Sequence, residues 1–198
     1  MMKKPKAIIL LSGGLDSVVS LAELSEKFDF VLALTFDYGQ KAFEKEYEAA
    51  KKIADVYHID RHELIKLDWL KNITTTSLVS KNEVPSVGVD NLDDVSITDN
   101  SMKNVWVPNR NGLFVNIAAA FADSFKLDYI VIGANKEEAA TFSDNSEQFI
   151  IDENEALVSS TNYDVKVLAP LIEMDKNSIV KRGIELGVPF EYINSCYN

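Results

Sequence analysis

The segment Ser12-Gly13-Gly14-Leu15-Asp16-Ser17 directly follows the apolar run at residues 7–11. A buried strand, a glycine pair and the start of a helix together make a cradle for phosphate. The glycines let the backbone turn sharply and approach a ligand with no Cβ in the way. The loop amides and those of the helix N-terminus converge on one point, where the helix dipole favours negative charge. Ser12 and Ser17 add hydroxyl donors. Asp16 is the discordant member, because bound phosphate repels a carboxylate unless a cation bridges the two. It therefore reads as a magnesium ligand, or as a helix N-cap when no ligand is bound. A P-loop and the Gly-x-Gly-x-x-Gly dinucleotide turn are both excluded by spelling.

Further candidates lie downstream. Thr35-Phe36-Asp37-Tyr38-Gly39-Gln40 closes the second apolar run, where backbone amides and apolar surface suit an adenine ring. A plain strand-to-helix turn with Gly39 at positive φ fits the same residues. In Val107-Pro108-Asn109-Arg110-Asn111, Pro108 stiffens the approach to a helix and Asn111 is a competent N-cap. Arg110 then reaches toward a phosphate or carboxylate in the cleft. Gly133-Ala134-Asn135 ends another run, and residues 136–146 after it read as a loop. Within that loop the Asp144 carboxylate matches the paired N–H donors of a guanine-like edge, and Phe142 offers a ring to stack on it. A cap by Asp144 or Asn145 on the helix through Phe149 is equally consistent. Asp175 reads as the cap of a late helix, which puts Lys176 at the end where the dipole disfavours a cation, unless phosphate lies nearby. His58 and His62 lack metal spacing and read as surface or helix-end residues, and Trp69 and Trp106 as core.

The elements that must position these groups alternate between strand and helix, which favours a parallel α/β sheet. Strands are expected at 6–11, 30–36, 63–67, 128–132 and 165–168. A helix over 43–57 carries Phe43, Tyr47, Ala50, Ala54 and Tyr57 on one stripe. The small residues Ala118, Ala119, Ala120 and Ala122 permit a later helix to pack closely on the sheet. A doubly wound sheet of about five strands collects its ligands beyond the carboxyl ends of the strands. Gly13, Asp37 and Gly133 all fall at such ends. Residues 72–104 lack periodicity and are rich in Thr, Ser, Asn and Asp, a composition expected of a mobile loop or lid.

Composition narrows the class. The chain has 198 residues, a length suited to one domain with a substantial core. Its net charge of −11 argues against a broad nucleic-acid footprint, so no nucleic acid is expected to bind directly. No apolar run is long enough to cross a membrane, and Ser12-Gly13-Gly14 interrupts the only run behind the basic start. The lone Cys196 forms no internal disulfide and fits the cytoplasm.

Taken in order, SGGLDS, TFDYGQ, VPNRN, the GAN loop with its later Asp-Asn-Ser, PLIEMDK and the terminal SCYN resemble the 7-cyano-7-deazaguanine synthases, the QueC family. SGGLDS alone points only to the wider ATP pyrophosphatases. The resemblance runs from Lys6 to Asn198 and implies an adenine nucleotide alpha-hydrolase-like (Rossmann-like) fold in a single ATP pyrophosphatase domain. It implies an ATP-dependent ligase that converts 7-carboxy-7-deazaguanine and ammonia to the nitrile through acyl-adenylate and amide intermediates. ATP would lie against Leu11, Ser12, Gly13, Gly14, Leu15, Asp16, Ser17, Thr35, Phe36 and Gly133. Asp16, with Mg²⁺, Arg110 and Lys176 would serve catalysis, and Asn109, Phe142 and Asp144 the deazaguanine. A homodimer is also implied.

The sequence departs from the family pattern in three places. Asn109 stands where glycine is frequent. Residues 141–146 replace a Gly-Tyr-Pro-Asp-Cys-Arg type segment, although Asp144 is kept. Members usually follow the cysteine matching Cys196 with three more that bind Zn²⁺, and one thiolate cannot complete a four-ligand site; the expectation is a truncated C-terminal end. Two other functions share the phosphate loop: a tRNA-modifying or amide-forming ATP pyrophosphatase, and a non-catalytic adenine-nucleotide binding protein.

Overall fold

The computed structural model describes residues 3–74, 76 and 106–194. A parallel sheet organises them: β1 (Lys6–Leu10), β2 (Asp29–Asp37), β3 (Arg61–Lys66), β4 (Tyr129–Val131) and β5 (Lys166–Leu168), in the spatial order β3-β2-β1-β4-β5. The helices are α1 (Leu15–Ser25), α2 (Phe43–Val56), α3 (Asp68–Ile73), α4 (Arg110–Phe125), α5 (Lys136–Thr141), α6 (Glu147–Ser160) and α7 (Lys176–Glu185). Strand order reverses between β1 and β4, the switch point where open α/β sheets open a crevice. The doubly wound α/β expectation holds, and each anticipated strand is present within about two residues of its expected bounds.

Side-chain alternation explains why β1 is apolar throughout. Ile8 and Leu10 point into one core, with Val115, Ala118 and Ala122 of α4 and Leu157 of α6. Ala7, Ile9 and Leu11 point into the other, with Val18 and Leu21 of α1, Ile53 of α2 and Ile179 of α7. Helices therefore cover both faces, as an all-parallel sheet requires. The register between β1 and β2 skips at Val31, between the pairs Ala7–Phe30 and Ile8–Leu32. Ala118, Ala119 and Ala122 are buried against the sheet, whereas Ala120 is exposed.

Several local expectations need correction. Of the expected α2 stripe Ala50 and Ala54 are buried, joined by Ala49 and Ile53, whereas Phe43, Tyr47 and Tyr57 are only partly buried. Phe43 and Tyr47 instead stack on each other, and Tyr47 also leans on His62. Trp69 is 49 % exposed rather than core. Asn72 and Ile73, expected at the start of the lid, instead complete α3, and the rest of the expected lid at 75 and 77–104 lies outside the described residues. Residues 136–141 form a helix, because Asn135 Oδ1 accepts the amides of Glu137 and Glu138 at 3.0 Å each. His58 is an exposed helix-end residue at φ +53°. Among the described residues no helix is long and apolar enough to cross a membrane.

Candidate active site

A cavity of about 320 Å³ opens at the carboxyl ends of β1, β2 and β4. Its phosphate end is the turn from β1 into α1. Gly14 is the N-cap of α1 and makes no side-chain capping bond, so Asp16 is not the cap. The hydroxyls of Ser12 and Ser17 lie 3.2 Å apart, with the Gly14 amide donating to Ser12 Oγ at 3.2 Å. Gly13 has φ +74°, and a Cβ there would come within 2.6 Å of Ala49 Cβ and 2.8 Å of the α2 backbone. Its role is thus to press the loop onto α2. Gly133 does the same from β4, since a Cβ there would meet Ser17 N at 2.7 Å.

Asp16 and Lys176 are brought together from opposite ends of the chain. Lys176 Nζ donates to Asp16 Oδ2 at 2.5 Å and to Glu138 Oε1 at 3.1 Å. The Asp175 carboxylate caps α7 by accepting the Ser178 amide at 2.7 Å, as its sequence position suggests. Burial raises the Asp16 carboxyl above its ordinary range, and the Lys176 ammonium only partly offsets this. Burial works against charge on Lys176 too, but Asp16 and Glu138 outweigh it and keep it cationic. Asp16 Oδ1 is buried with no hydrogen-bond partner.

The same cavity is also lined by Phe36, Tyr38, Gln40, Glu46, Arg110 and Phe114, and the Glu46 carbonyl lies 2.8 Å from where a Cβ on Gly13 would stand. Phe36 of β2 and Phe114 of α4 stack at 3.9 Å with a 6° interplanar angle. Burial disfavours the Arg110 charge, but Tyr38, Asp144 and Glu138 more than compensate and hold the guanidinium protonated. Gln40 is locked in place: Nε2 donates to Phe36 O and to Glu46 Oε2, each at 2.9 Å, and Oε1 accepts the Tyr38 amide at 3.0 Å. Thr35 Oγ1 donates to Leu11 O at 2.6 Å and lies 2.8 Å from His62 Nε2, so His62 supports the cavity wall from behind. Burial lowers the His62 pKa, favouring the neutral ring.

Of the expected site residues, Leu11, Ser12, Gly14, Asp16, Ser17, Thr35, Phe36, Arg110 and Gly133 line the cavity. Gly13, Leu15 and Lys176 are not among the lining residues; Gly13 packs on α2 and Lys176 is bonded to Asp16. Asn109 is exposed and occupies the left-handed region at φ +51°, which accounts for asparagine at a position where glycine is frequent. Asn109, not Asn111, is the N-cap of α4. Asn111 is buried and clamps Asp144, its Nδ2 donating to Asp144 O at 2.9 Å. Both Asp144 carboxylate oxygens are occupied within the protein, by Asn145 Nδ2 at 3.2 Å and the Asn111 amide at 3.3 Å. Asn145 rather than Asp144 faces the cavity. Ser146 caps α6, accepting the Phe149 amide at 3.1 Å, so neither Asp144 nor Asn145 does. Phe142 stacks against Trp106 at 5.9 Å, away from the cavity. Cys196 lies outside the described residues.

Tyr38 and Gln40, from the segment read for adenine, line the cavity, as does Asn145, read as a candidate cap; Glu46, Phe114, Glu138 and Asn194 line it without having been singled out in the sequence. Glu46 alone left a legible signal: it falls on the buried stripe of α2, in step with Ala49, Ala50 and Ile53. A carboxylate on an apolar stripe is a feature that needs a reason.

The family model described as queuosine biosynthesis protein QueC matches residues 6–198. The chain belongs to the QueC family. A relative named 7-cyano-7-deazaguanine synthase, from Methanosarcina barkeri, is 50 % identical over 196 residues, spanning 97 % of this chain and 84 % of its own. A second of that name, from Carboxydothermus hydrogenoformans, is 52 % identical over 192 residues, spanning 97 % of this chain and 88 % of its own. Among solved structures, the U34-tRNA thiolase NcsA from Methanococcus maripaludis superposes with a TM-score of 0.56 at 17 % identity. That alignment covers all of this chain and 62 % of the thiolase. The likeness to the thiolase is one of fold, adenine nucleotide alpha-hydrolase-like, whereas the QueC relatives share sequence along nearly the whole chain.

Proposed function

We propose that this QueC member makes 7-cyano-7-deazaguanine from 7-carboxy-7-deazaguanine, ammonia and ATP. One observation carries the reading: a single cavity is lined both by the helix start Ser12–Ser17 and by Phe36, Phe114, Arg110 and Glu46. The phosphates of ATP suit the helix start and its adenine the end of β2 at Thr35 and Phe36, which leaves Arg110 and Phe114 for a planar heterocycle bearing a carboxylate. The substrate carboxylate attacks the α phosphorus of ATP, forming the acyl-adenylate and releasing pyrophosphate. Ammonia then displaces AMP, losing a proton and leaving the amide. A second ATP takes up the amide oxygen with loss of pyrophosphate, and departure of AMP leaves the nitrile.

Charge develops on phosphates throughout, so the protein contributes positioning and electrostatic stabilisation rather than a nucleophile. The α1 amides and the Ser12 and Ser17 hydroxyls hold the phosphates, Lys176 neutralises charge beside Asp16, and Arg110 steadies the carboxylate as it attacks. The unpartnered Asp16 Oδ1 suits Mg²⁺, which typically takes one or two carboxylates and completes its shell with water and phosphate. Bound there, the ion would offset negative charge on the phosphates. The family resemblance also supports a homodimer, which light scattering tests.

The test of function is to mix the protein with ATP, magnesium, ammonium and 7-carboxy-7-deazaguanine and to measure AMP and pyrophosphate. Release that requires the deazaguanine acid is expected. Nucleotide binding with no acid-dependent release would refute the reading.

A further inference from the structure

We propose that Glu46 reads the purine substrate, its carboxylate pairing with the N1–H and 2-amino edge of the deazaguanine ring. The inference rests on the function proposed above and deepens it by naming a specificity-determining residue. The residue is presented to the cavity by α2 and oriented by Gln40, whose own amide is fixed by bonds to Phe36 O and the Tyr38 amide. Glu46 takes part in none of the ion pairs seen among the described residues. Burial raises its pKa, opposed by the Gln40 bond and by the field of Arg110. A half-buried carboxylate with no cation bound to it, facing a cavity, has acceptor capacity left for a ligand.

The ligand's own chemistry fits that capacity. A guanine-type ring carries two parallel N–H donors on one edge and an oxygen and a carboxylate at the far side. A carboxylate accepts two parallel donors in bidentate fashion, and a guanidinium donates to the opposite group. Glu46 and Arg110, both lining the cavity with Phe114, are the two groups available for that pair. Adenine offers one donor and one acceptor on the corresponding edge, so an ionised carboxylate meets a lone pair and the ring is rejected. Asp144, the alternative reader, has both carboxylate oxygens engaged by Asn111 and Asn145 and lies outside the cavity lining.

The experiment is equilibrium binding to the intact chain, saturated with a non-hydrolysable ATP analogue. The ligands are 7-carboxy-7-deazaguanine and the same acid lacking its 2-amino group. The unmodified protein is expected to favour the full acid by about 10- to 100-fold, since loss of the donor leaves a buried acceptor unpaired. In Glu46→Gln that preference is expected to collapse to about threefold or less, with affinity for the ATP analogue unchanged. A protein that binds neither acid refutes the function proposed above and this inference with it. A protein that binds both acids equally refutes the Glu46 assignment alone, and needs no variant to fold. Discrimination that survives in Glu46→Gln, is lost in Asp144→Asn, or changes only together with ATP-analogue affinity also overturns it.

Discussion

In the proposed site the phosphate-binding groups come from one hexapeptide, Ser12 to Ser17, whereas the groups proposed for the purine come from α2 and α4, far apart in the chain. The first end works mainly through backbone amides, which any sequence able to make the turn will present. The second works through side chains whose aim depends on partners: Gln40 for Glu46, and Tyr38 for Arg110. The lesson is that a backbone site fails when its turn is deformed, while a side-chain site fails when one functional group is removed. Variants at the two ends should therefore differ in kind.

The largest effect is expected at the purine end, in catalysis. Arg110→Ala should lower kcat/KM for acid-dependent pyrophosphate release by about 10³-fold, roughly 4 kcal/mol of transition-state stabilisation. Arg110→Lys should recover only part of this, because an ammonium cannot reproduce the planar fork. Full recovery by lysine would show that charge alone matters, and would erase the contrast with the phosphate end.

Next in size is a stability effect at the phosphate end. Gly13→Ala adds a Cβ to a left-handed residue and drives it into Ala49 and the α2 backbone. A loss of about 2–4 kcal/mol is expected in urea unfolding. Gly14→Ala is the control, since Gly14 has an ordinary φ of −81° and its Cβ would meet only Ser12 Oγ, at 3.3 Å. It should cost about 1 kcal/mol or less in stability. Equal losses from the two would dissolve the distinction between a packing glycine and a ligand-facing one.

The smallest effect concerns pH. Burial lifts Glu46 above its ordinary value of 4.5, so the folded chain holds that proton more tightly than the unfolded chain. Folding stability linked to this group is therefore present below 4.5 and is lost as pH rises through the folded-state value. Glu46→Gln removes the loss. The Tm of the variant minus that of the parent should become more positive from pH 4.5 towards neutrality, as differential scanning calorimetry would read. A difference that stays flat with pH would mean Glu46 ionises as it does in water, weakening its description as a buried reader.

The turn at 12–17, the α7 cap at Asp175 and the strands were legible because each depends on neighbours in sequence. The aromatic stripe assigned to α2 was misleading for a physical reason. The seam of α2 needs small side chains to admit the Gly13 loop, so Ala49 and Ala50 are buried while Phe43 and Tyr47 stay partly buried, stacked on each other. Asp144 carried the right chemistry for a purine edge, but whether its oxygens were free depended on Asn111, which lies 33 residues away. Lys176 raised the question of what offsets a cation at a helix start. The structure supplies Asp16, 160 residues distant, and Glu138.

By itself the sequence determined that a parallel α/β sheet carries a glycine turn and a helix start after its first strand, since hydrophobic alternation, glycine geometry and helix starts are local properties of the chain. Tertiary structure alone decided which carboxylate lines the cavity. Glu46 and Asp144 have the same functional group, and only packing settles which one is left with acceptor capacity toward the cavity and which is consumed by its neighbours.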